Sequence, residues 1–285
     1  KNIGNLLVRN SAIFRNRFLL NGTGEGEGAG IDADLNGHST RIENSTISEN
    51  EATRSVGIYC GLDGDIHLFN TTISSNIGER SGITIAESGS LSSCTIARNS
   101  TIGFVITNGA SVEISNTVLE GHPEGDMRVG VGATVNSRAT SISDFSYVLL
   151  GPGDATNAAL NLQPLEFNGG TGRTHMPGDG SQAIDTGDNN FATAEDQRRY
   201  QRIWNGTIDR GAVETRTLAF EPDQQPVSAN ILETSAGYLS FEIAPGESAA
   251  ERFLVVRKDT TLSAAPQDRQ TWPGQQINGN TVVAV

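Results

Sequence analysis

The sequence predicts an all-β chain, a right-handed parallel β-helix with a capping segment followed by a partial β-sandwich. Three observations carry that expectation. A short phrase recurs from Val8, Ile42, Leu68, Leu91 and Ile114: an apolar residue, Asn two places on, an aliphatic three further, then Asn again. Between its copies a glycine precedes alternating apolar residues, at Gly30-Ile31, Gly57-Ile58, Gly82-Ile83 and Gly103-Phe104, and alternation is the period of a strand. No segment keeps a 3.6-residue period over roughly ten residues, which sets a helical-repeat solenoid aside.

The elements follow in chain order. Val8 is trailed by Asn10, Ile13 and Asn16, and Ile42 by Asn44, Ile47 and Asn50. Leu68 leads to Asn70, Ile73 and Asn76, Leu91 to Ser93, Ile96 and Asn99, and Ile114 to Asn116, Leu119 and His122. Successive copies start 34, 26, 23 and 23 residues apart. Each period also holds a turn dipeptide (Asn36-Gly37, Asp63-Gly64, Ser88-Gly89 or Asn108-Gly109), so about three short strands separated by bends fill it. That is one coil of a parallel β-helix, in which like residues stack at about 4.8 Å. Ile31, Ile58, Ile83 and Phe104 are expected as one interior column, and Ala33, Cys60, Ile85 and Ile106 as the next. Asn10, Asn44, Asn70 and Asn116 are expected to form a buried ladder whose amides donate from coil to coil, with Ser93 interrupting it.

This pattern resembles the parallel β-helix repeats of pectinase-like and bacterial surface proteins, and it is assigned to residues 1–164. Beyond it come Asn168-Gly169-Gly170-Thr171, Ser181-Gln182-Ala183-Ile184-Asp185-Thr186-Gly187, Asp196-Gln197-Arg198 and Asp209-Arg210-Gly211-Ala212-Val213-Glu214. Those blocks, in that order, resemble the choice-of-anchor Q segment that follows β-helices in large bacterial surface proteins. The resemblance implies a cap over residues 165–214, with Asp185, Asp196, Arg198, Asp209 and Glu214 bonding loose backbone groups of the open sheet end. The chain departs from that pattern at Gly172, Gln182, Arg199, Arg210 and Val213, where the resembled segment has Pro, Pro, Gly, Ile and Tyr. From Thr215 the composition shifts again. Leu239, Phe241 and Ile243 alternate, Phe253 to Arg257 makes a second strand, and Asn280 to Val285 a third. Residues 215–285 look like part of a fibronectin type III-like sandwich, a domain of about 100 residues.

Composition bounds the function. Of 285 residues 36% are hydrophobic and 19% charged, enough for a core and too little charge for a disordered tract. Asp and Glu outnumber Lys and Arg 33 to 20, for a net charge of -13, and the only lysines are Lys1 and Lys258. No basic footprint for nucleic acid is present, and no apolar run reaches the roughly 18 residues of a membrane span. Polygalacturonase-like hydrolases need clustered carboxylates on one groove, and none of the Asp-Asp, Gly-His-Gly and Arg-Ile-Lys signatures of that group occurs. Lyase chemistry would need a Lys or Arg base; Arg41, Arg98 and Arg138 are the conceivable ones, set against solvated surface arginines. No catalytic residue is assigned.

Asp32 and Asp34 alternate with Ile31 and Ala33, and Asp63 and Asp65 flank the next turn. These four are the candidate binding residues, through which calcium would bind by oxygen ligands; bent Gly-rich corners also favour Asp without any ligand. No other cofactor is called for. His67 should face solvent between Ile66 and Leu68, without a second ligand at metal spacing. Cys60 and Cys94 fall on different strands, which disfavours a disulfide. The Asn-x-Ser/Thr matches at Asn44, Asn70 and Asn99 follow from the repeat's own composition.

The expected role is a structural or adhesive module of a secreted or cell-surface bacterial protein, its flanks binding glycans, partner proteins or neighbouring subunits without chemistry. Two alternatives stand beside it: a non-catalytic part of a polysaccharide lyase or glycoside hydrolase, and a subunit of an extracellular filament. The chain is also expected to be an excerpt of a longer polypeptide with further domains.

Overall fold

The computed structural model describes residues 5–18, 28–33, 37–53 and 56–216, together with five strand backbones further on. Two compact units divide the chain, Lys1–Thr215 and Arg216–Val285.

The first unit is a right-handed parallel β-helix with three sheets. The first sheet stacks Leu6–Arg9, Ser39–Glu43, Asp65–Phe69, Ser88–Ser92, Ser111–Ser115 and Thr134–Arg138. The second stacks Ala12–Phe14, Thr46–Ser48, Thr72–Ser74, Thr95–Ala97, Val118–Glu120 and Ser141–Ile142. The third stacks Ile31–Ala33, Ile58–Cys60, Ser81–Ile85, Ile102–Ile106 and Met127–Val129. All pairings between coils in these sheets are parallel and in register, so like residues stand over like residues. Ile31 pairs with Ile58, Ile58 with Ile83 and Ile83 with Phe104, and the column ends at Met127. Ala33, Cys60, Ile85 and Ile106 form the neighbouring column, and both are buried. Each isoleucine so buried contributes roughly 2 to 3 kcal/mol of hydrophobic free energy.

The polar columns differ from the expected arrangement. Asn10, Asn44, Asn70, Ser93 and Asn116 sit at the corner between the first and second sheets with left-handed backbones, φ between 46° and 53°. Asn tolerates that conformation better than most residues, which explains its recurrence there. Only one amide-to-amide bond joins this column, Asn70 Nδ2 to Asn44 Oδ1 at 3.2 Å, and Asn10 and Asn44 are half-buried.

The continuous ladder is built instead from the last Asn of each phrase. Asn16 Nδ2 donates to Asn50 Oδ1 at 3.0 Å, Asn50 to Asn76 at 2.9 Å, and Asn76 to Asn99 at 2.9 Å. Each receiving Oδ1 also accepts the backbone N–H of the preceding rung, at 3.1 Å in all three steps. The glycine that opens the third-sheet strand exists because this ladder passes so close. A Cβ on Gly57 would lie 3.0 Å from Asn76 Nδ2 and 2.5 Å from the Gly82 carbonyl oxygen.

Two further expectations need correction. Ser88-Gly89 is not a turn: it opens the strand Ser88–Ser92, with Gly89 opposite Ile66 and Val112. The bend falls earlier, at Ala86 and Glu87. Asn36, in the first turn dipeptide, lies outside the described residues. The expected cap, residues 165–214, does not close a sheet end. Tyr147 and Leu149 pack against the interior just after the last strand, and Ala155 then pairs with Ser141. From there the chain travels back and forth along the outer face of the second sheet as a strap. The reason lies in that face: its outward residues are Thr46, Ser48, Thr72, Ser74, Thr95 and Ala97, small enough to admit another backbone and mostly hydroxylated. Val118 and Ala97 join Ala158, Leu160, Leu162 and Ala183 in a second apolar cluster beneath the strap.

In the second unit, Ala229–Ser235 pairs antiparallel with Tyr238–Ile243. Asn280–Ala284 pairs antiparallel with Phe253–Val256 and with Gln276–Ile277.

Candidate functional site

The densest chemistry in the first unit is the strap's own anchor. Asp196 turns both oxygens inward: Oδ1 accepts the N–H groups of Arg198 and Tyr200, and Oδ2 accepts Glu214 N–H and the Arg198 guanidinium at 2.7 Å. Arg198 also donates to the Glu214 carbonyl at 2.6 Å and to the Asn168 carbonyl at 3.3 Å, tying three of the four sequence blocks together. Glu214 spreads its carboxylate over the N–H groups of Ile203, Trp204 and Asp209. Asp209 in turn accepts Asp185 N–H at 2.7 Å.

Asp196, Arg198, Arg202, Asp209 and Glu214 are all buried. Burial pushes the Asp209 and Glu214 carboxyls above the ordinary carboxylate range and holds Arg202 below the usual arginine range. Charges so placed are tolerated only because each is bonded. The set is a clasp for backbone, in which Arg202 Nε is the buried donor without a partner among the described residues.

The clasp reaches the coils through residues that the sequence reading did not single out as anchors. Gln197 accepts from Thr72 Oγ1 at 2.6 Å and donates to Thr46 Oγ1 at 2.7 Å. Arg202 donates to Asn70 Oδ1 at 2.9 Å, and Asn70 Nδ2 donates to the Glu195 carbonyl. Asn116 donates to the Asp188 carbonyl and accepts Asp188 N–H at 2.7 Å. The corner asparagines in the third and fifth coils are therefore docking points for the strap. Arg173 bonds Glu49, and His175 stands 2.8 Å from Ser74 Oγ. Arg210, where the resembled segment has Ile, ties the Thr186 carbonyl to Ser141 on the last coil.

The four candidate binding aspartates do not form one site among the described residues. Asp32 is half-buried on the third sheet, Asp34 lies outside the described residues, and Asp63 is exposed in the turn. Asp65 accepts Ser39 Oγ at 2.9 Å and pairs with His67 Nε2 at 2.6 Å. Among the described residues no group of three His, Cys, Asp or Glu converges as a metal would require. Cys60 and Cys94 are buried free thiols, and burial pushes Cys94 up to about 12, far from a thiolate nucleophile.

One buried pair looks like part of a triad. His122 Nδ1 lies 2.7 Å from Asp126 Oδ1, and Asp126 Oδ2 accepts the Ser143 hydroxyl. Its setting explains it otherwise. The Asn99 amide, itself fixed by the ladder, approaches His122 Nε2 at 3.3 Å, so Nε2 accepts and Nδ1 carries the proton to Asp126. His122 ends the ladder.

Two shallow clefts lie at the seams of strap and coils. One, of about 230 Å3, is bordered by Arg41, Glu43, Phe69, Thr193 and Glu195, with the Arg41 guanidinium 4.2 Å from the Phe69 ring centre. The other, of about 360 Å3, is bordered by Pro152, Thr186, Asp188, Asn189 and Thr207. No described helix is long and apolar enough to cross a membrane. No significant match is found among curated proteins or among solved structures. The sequence does match the family described as the right-handed beta helix region, over residues 2–145. With the stacked coils and the Asn ladder over that same stretch, the chain belongs to the right-handed β-helix family.

Proposed function

We propose that this chain is a structural and adhesive module of a bacterial protein that acts outside the cell or at its surface. In this reading residues 165–214 are a choice-of-anchor Q-like strap, and residues 215–285 are part of a fibronectin type III-like sandwich. The observation that supports it is the state of the open first-sheet flank. Two of its outward carboxylates are tied to a base, Glu43 to Arg9 and Arg41 and Asp65 to His67, while Glu113 stands exposed between Ser111 and Ser115. In this reading Glu43 and Asp65, held by their bases, serve the surface and not the carboxylate pair, roughly 5 to 10 Å apart, that glycoside hydrolysis uses. The same flank presents flat rows of serine, with Ser88, Ser90 and Ser92 beside Ser111 and Ser115. Such rows suit reversible binding of a glycan or a partner protein.

Two measurements on the purified chain test the proposal. A polysaccharide panel is expected to yield neither reducing ends nor unsaturated uronates, and either product would replace the reading with an enzymatic one. A glycan array is expected to return bound ligands. A blank array would leave an inert stalk and remove the adhesive half.

A further inference from the structure

One part of the strap is a hairpin, and a buried histidine is among the groups that hold it. Residues 162–177 double back as a hairpin: Leu162 bridges Pro177 and Glu166 bridges Thr174, both antiparallel. Its tip is the Asn168-Gly169-Gly170 turn, with both glycines at positive φ. Any Cβ on Gly172 would fall 2.3 Å from Thr46 Oγ1, so the tip lies directly on the second coil. Several attachments fix the hairpin to the helix, among them Glu120 accepting Leu162 N–H, Thr46 Oγ1 donating to the Arg173 carbonyl and Arg173 donating to Ser48 Oγ. Arg98 donates to the Leu162 carbonyl at its base, Arg173 bonds Glu49 at 2.8 Å near its tip, and His175 bonds Ser74 between them.

The His175 attachment is the one that mild acid, above roughly pH 4.5, can undo. Nδ1 lies 2.6 Å from the Gln163 carbonyl, which only accepts, so Nδ1 carries the hydrogen and Nε2 accepts from Ser74 Oγ. The ring is 1% exposed. Every element around it is poor in compensating negative charge. Its own strand brings Arg173, whose charge is taken up by Glu49 on the second coil; the third coil brings the hydroxyls of Ser74 and Ser75. The fourth brings Arg98, and the fifth brings Glu120, which is occupied with Leu162 N–H. A proton on Nε2 would bury a cation flanked by two guanidinium groups and turn the Ser74 hydroxyl from donor to acceptor.

We propose that His175 is an acid latch, whose protonation frees the 162–177 hairpin from the second sheet while the coils beneath stay folded. Burial, with Arg98 and Arg173 adding to it, lowers this imidazole from its ordinary 6.5 to about 4. In a released hairpin the ring regains its ordinary value. Opening then increases as pH falls through 6.5 and levels off near 4, by up to about 300-fold. Glu49, held at about 2 by Arg173 against an ordinary 4.5, contributes to release only below 4.5, so the part of the step between 6.5 and 4.5 belongs to His175. Release would lay bare the Ser48 and Ser74 hydroxyls, while Thr46 keeps its bond to Gln197.

Hydrogen exchange of the whole chain between pH 7 and 3.5, corrected for intrinsic rates, tests the latch. Protection of residues 163–176 is expected to fall by one hundred-fold or more across the window, while Thr72–Ser74 and Thr95–Ala97 keep theirs. His175→Gln, which cannot take up a proton, is expected to abolish the step above roughly pH 4.5. Should that variant fail to fold, proton NMR of the wild-type imidazole is expected to give a midpoint coinciding with the exchange step. A flat profile, simultaneous loss of protection in hairpin and coils, or a step above roughly pH 4.5 that persists in His175→Gln would overturn the proposal.

Discussion

At Asn76 a single side chain serves three strands at once. Its Oδ1 accepts two hydrogens from Asn50, and its Nδ2 donates both to Asn99 and to the Ile47 carbonyl, all out of reach of water. Asn76→Leu would strand donors on one side and acceptors on the other. The expected cost is roughly 3 kcal/mol or more, read as a lower denaturation midpoint. Asn16→Leu, on the exposed first rung, is expected to cost less than 1 kcal/mol; equal losses at the two rungs would refute a cooperative ladder. A different residue is placed against its own backbone preference. Arg199 sits at φ 73°, at the position where the resembled segment carries Gly. Relieving a left-handed non-glycine residue is worth about 1 kcal/mol, so Arg199→Gly is expected to raise the melting temperature, and a fall would show that its pair with Glu195 matters more.

Between elements, the question is what joins strap to sheet. Asn70 receives Arg202 and Thr193 on its Oδ1 and donates to the Glu195 carbonyl. Asn70→Leu would leave the Arg202 guanidinium buried with one partner fewer, and breaking such a buried charged contact costs about 3 kcal/mol. Exchange protection in residues 193–202 should then fall more than in the coils; a uniform loss would assign Asn70 to the helix alone. Acid tests the other tether. Arg173, through its hydrogen bond, holds the Glu49 carboxyl at about 2, with Arg15 assisting, against an ordinary 4.5. A depressed carboxyl stabilises the fold above pH 4.5 and loses that contribution as pH falls toward 2. After discounting for partial solvent access, the contribution is about 1 to 2 kcal/mol. Arg173→Gln is expected to flatten the stability profile below pH 4.5, and an unchanged acid limb would deny the ion pair that role. The coils were readable in the sequence because stacking repeats the same residue at the same place, as with Ile58 over Ile31. Which Asn of the phrase forms the ladder was not readable, since both recur equally and only close approach to the glycine column separates them. The strap's path was hidden for a related reason: Gln197 and Thr46 are 151 positions apart, and a single polar contact at that range has no periodicity.

For the molecule as a whole, the decisive matter is whether the helix is complete without its strap. The coils bury a continuous interior by themselves, which argues that residues 1–164 contain a fold. Yet the second sheet's outer face is finished only by the strap: Val118 and Ala97 have Ala183 over them, Thr95 Oγ1 accepts Ala212 N–H, and Asn116 holds both Asp188 and Gly211. Removing residues 165–215 would return those groups to water and delete the whole Asp196–Arg198–Glu214 clasp, while the sheets keep their backbone pairing. Removing residues 216–285 instead cuts at the division between the two compact units. The two truncations should therefore behave differently. A chain of residues 1–215 is expected to melt cooperatively, as the corresponding transition of the full chain does. A chain of residues 1–164 is expected to melt lower by roughly 10 °C or more, because losing several kcal/mol from a unit of this size moves the midpoint by that much. Calorimetry on both would decide it. Equal melting temperatures would make the strap an ornament on a self-sufficient helix, whereas the geometry of the hydroxyl face makes it the fourth wall of one fold.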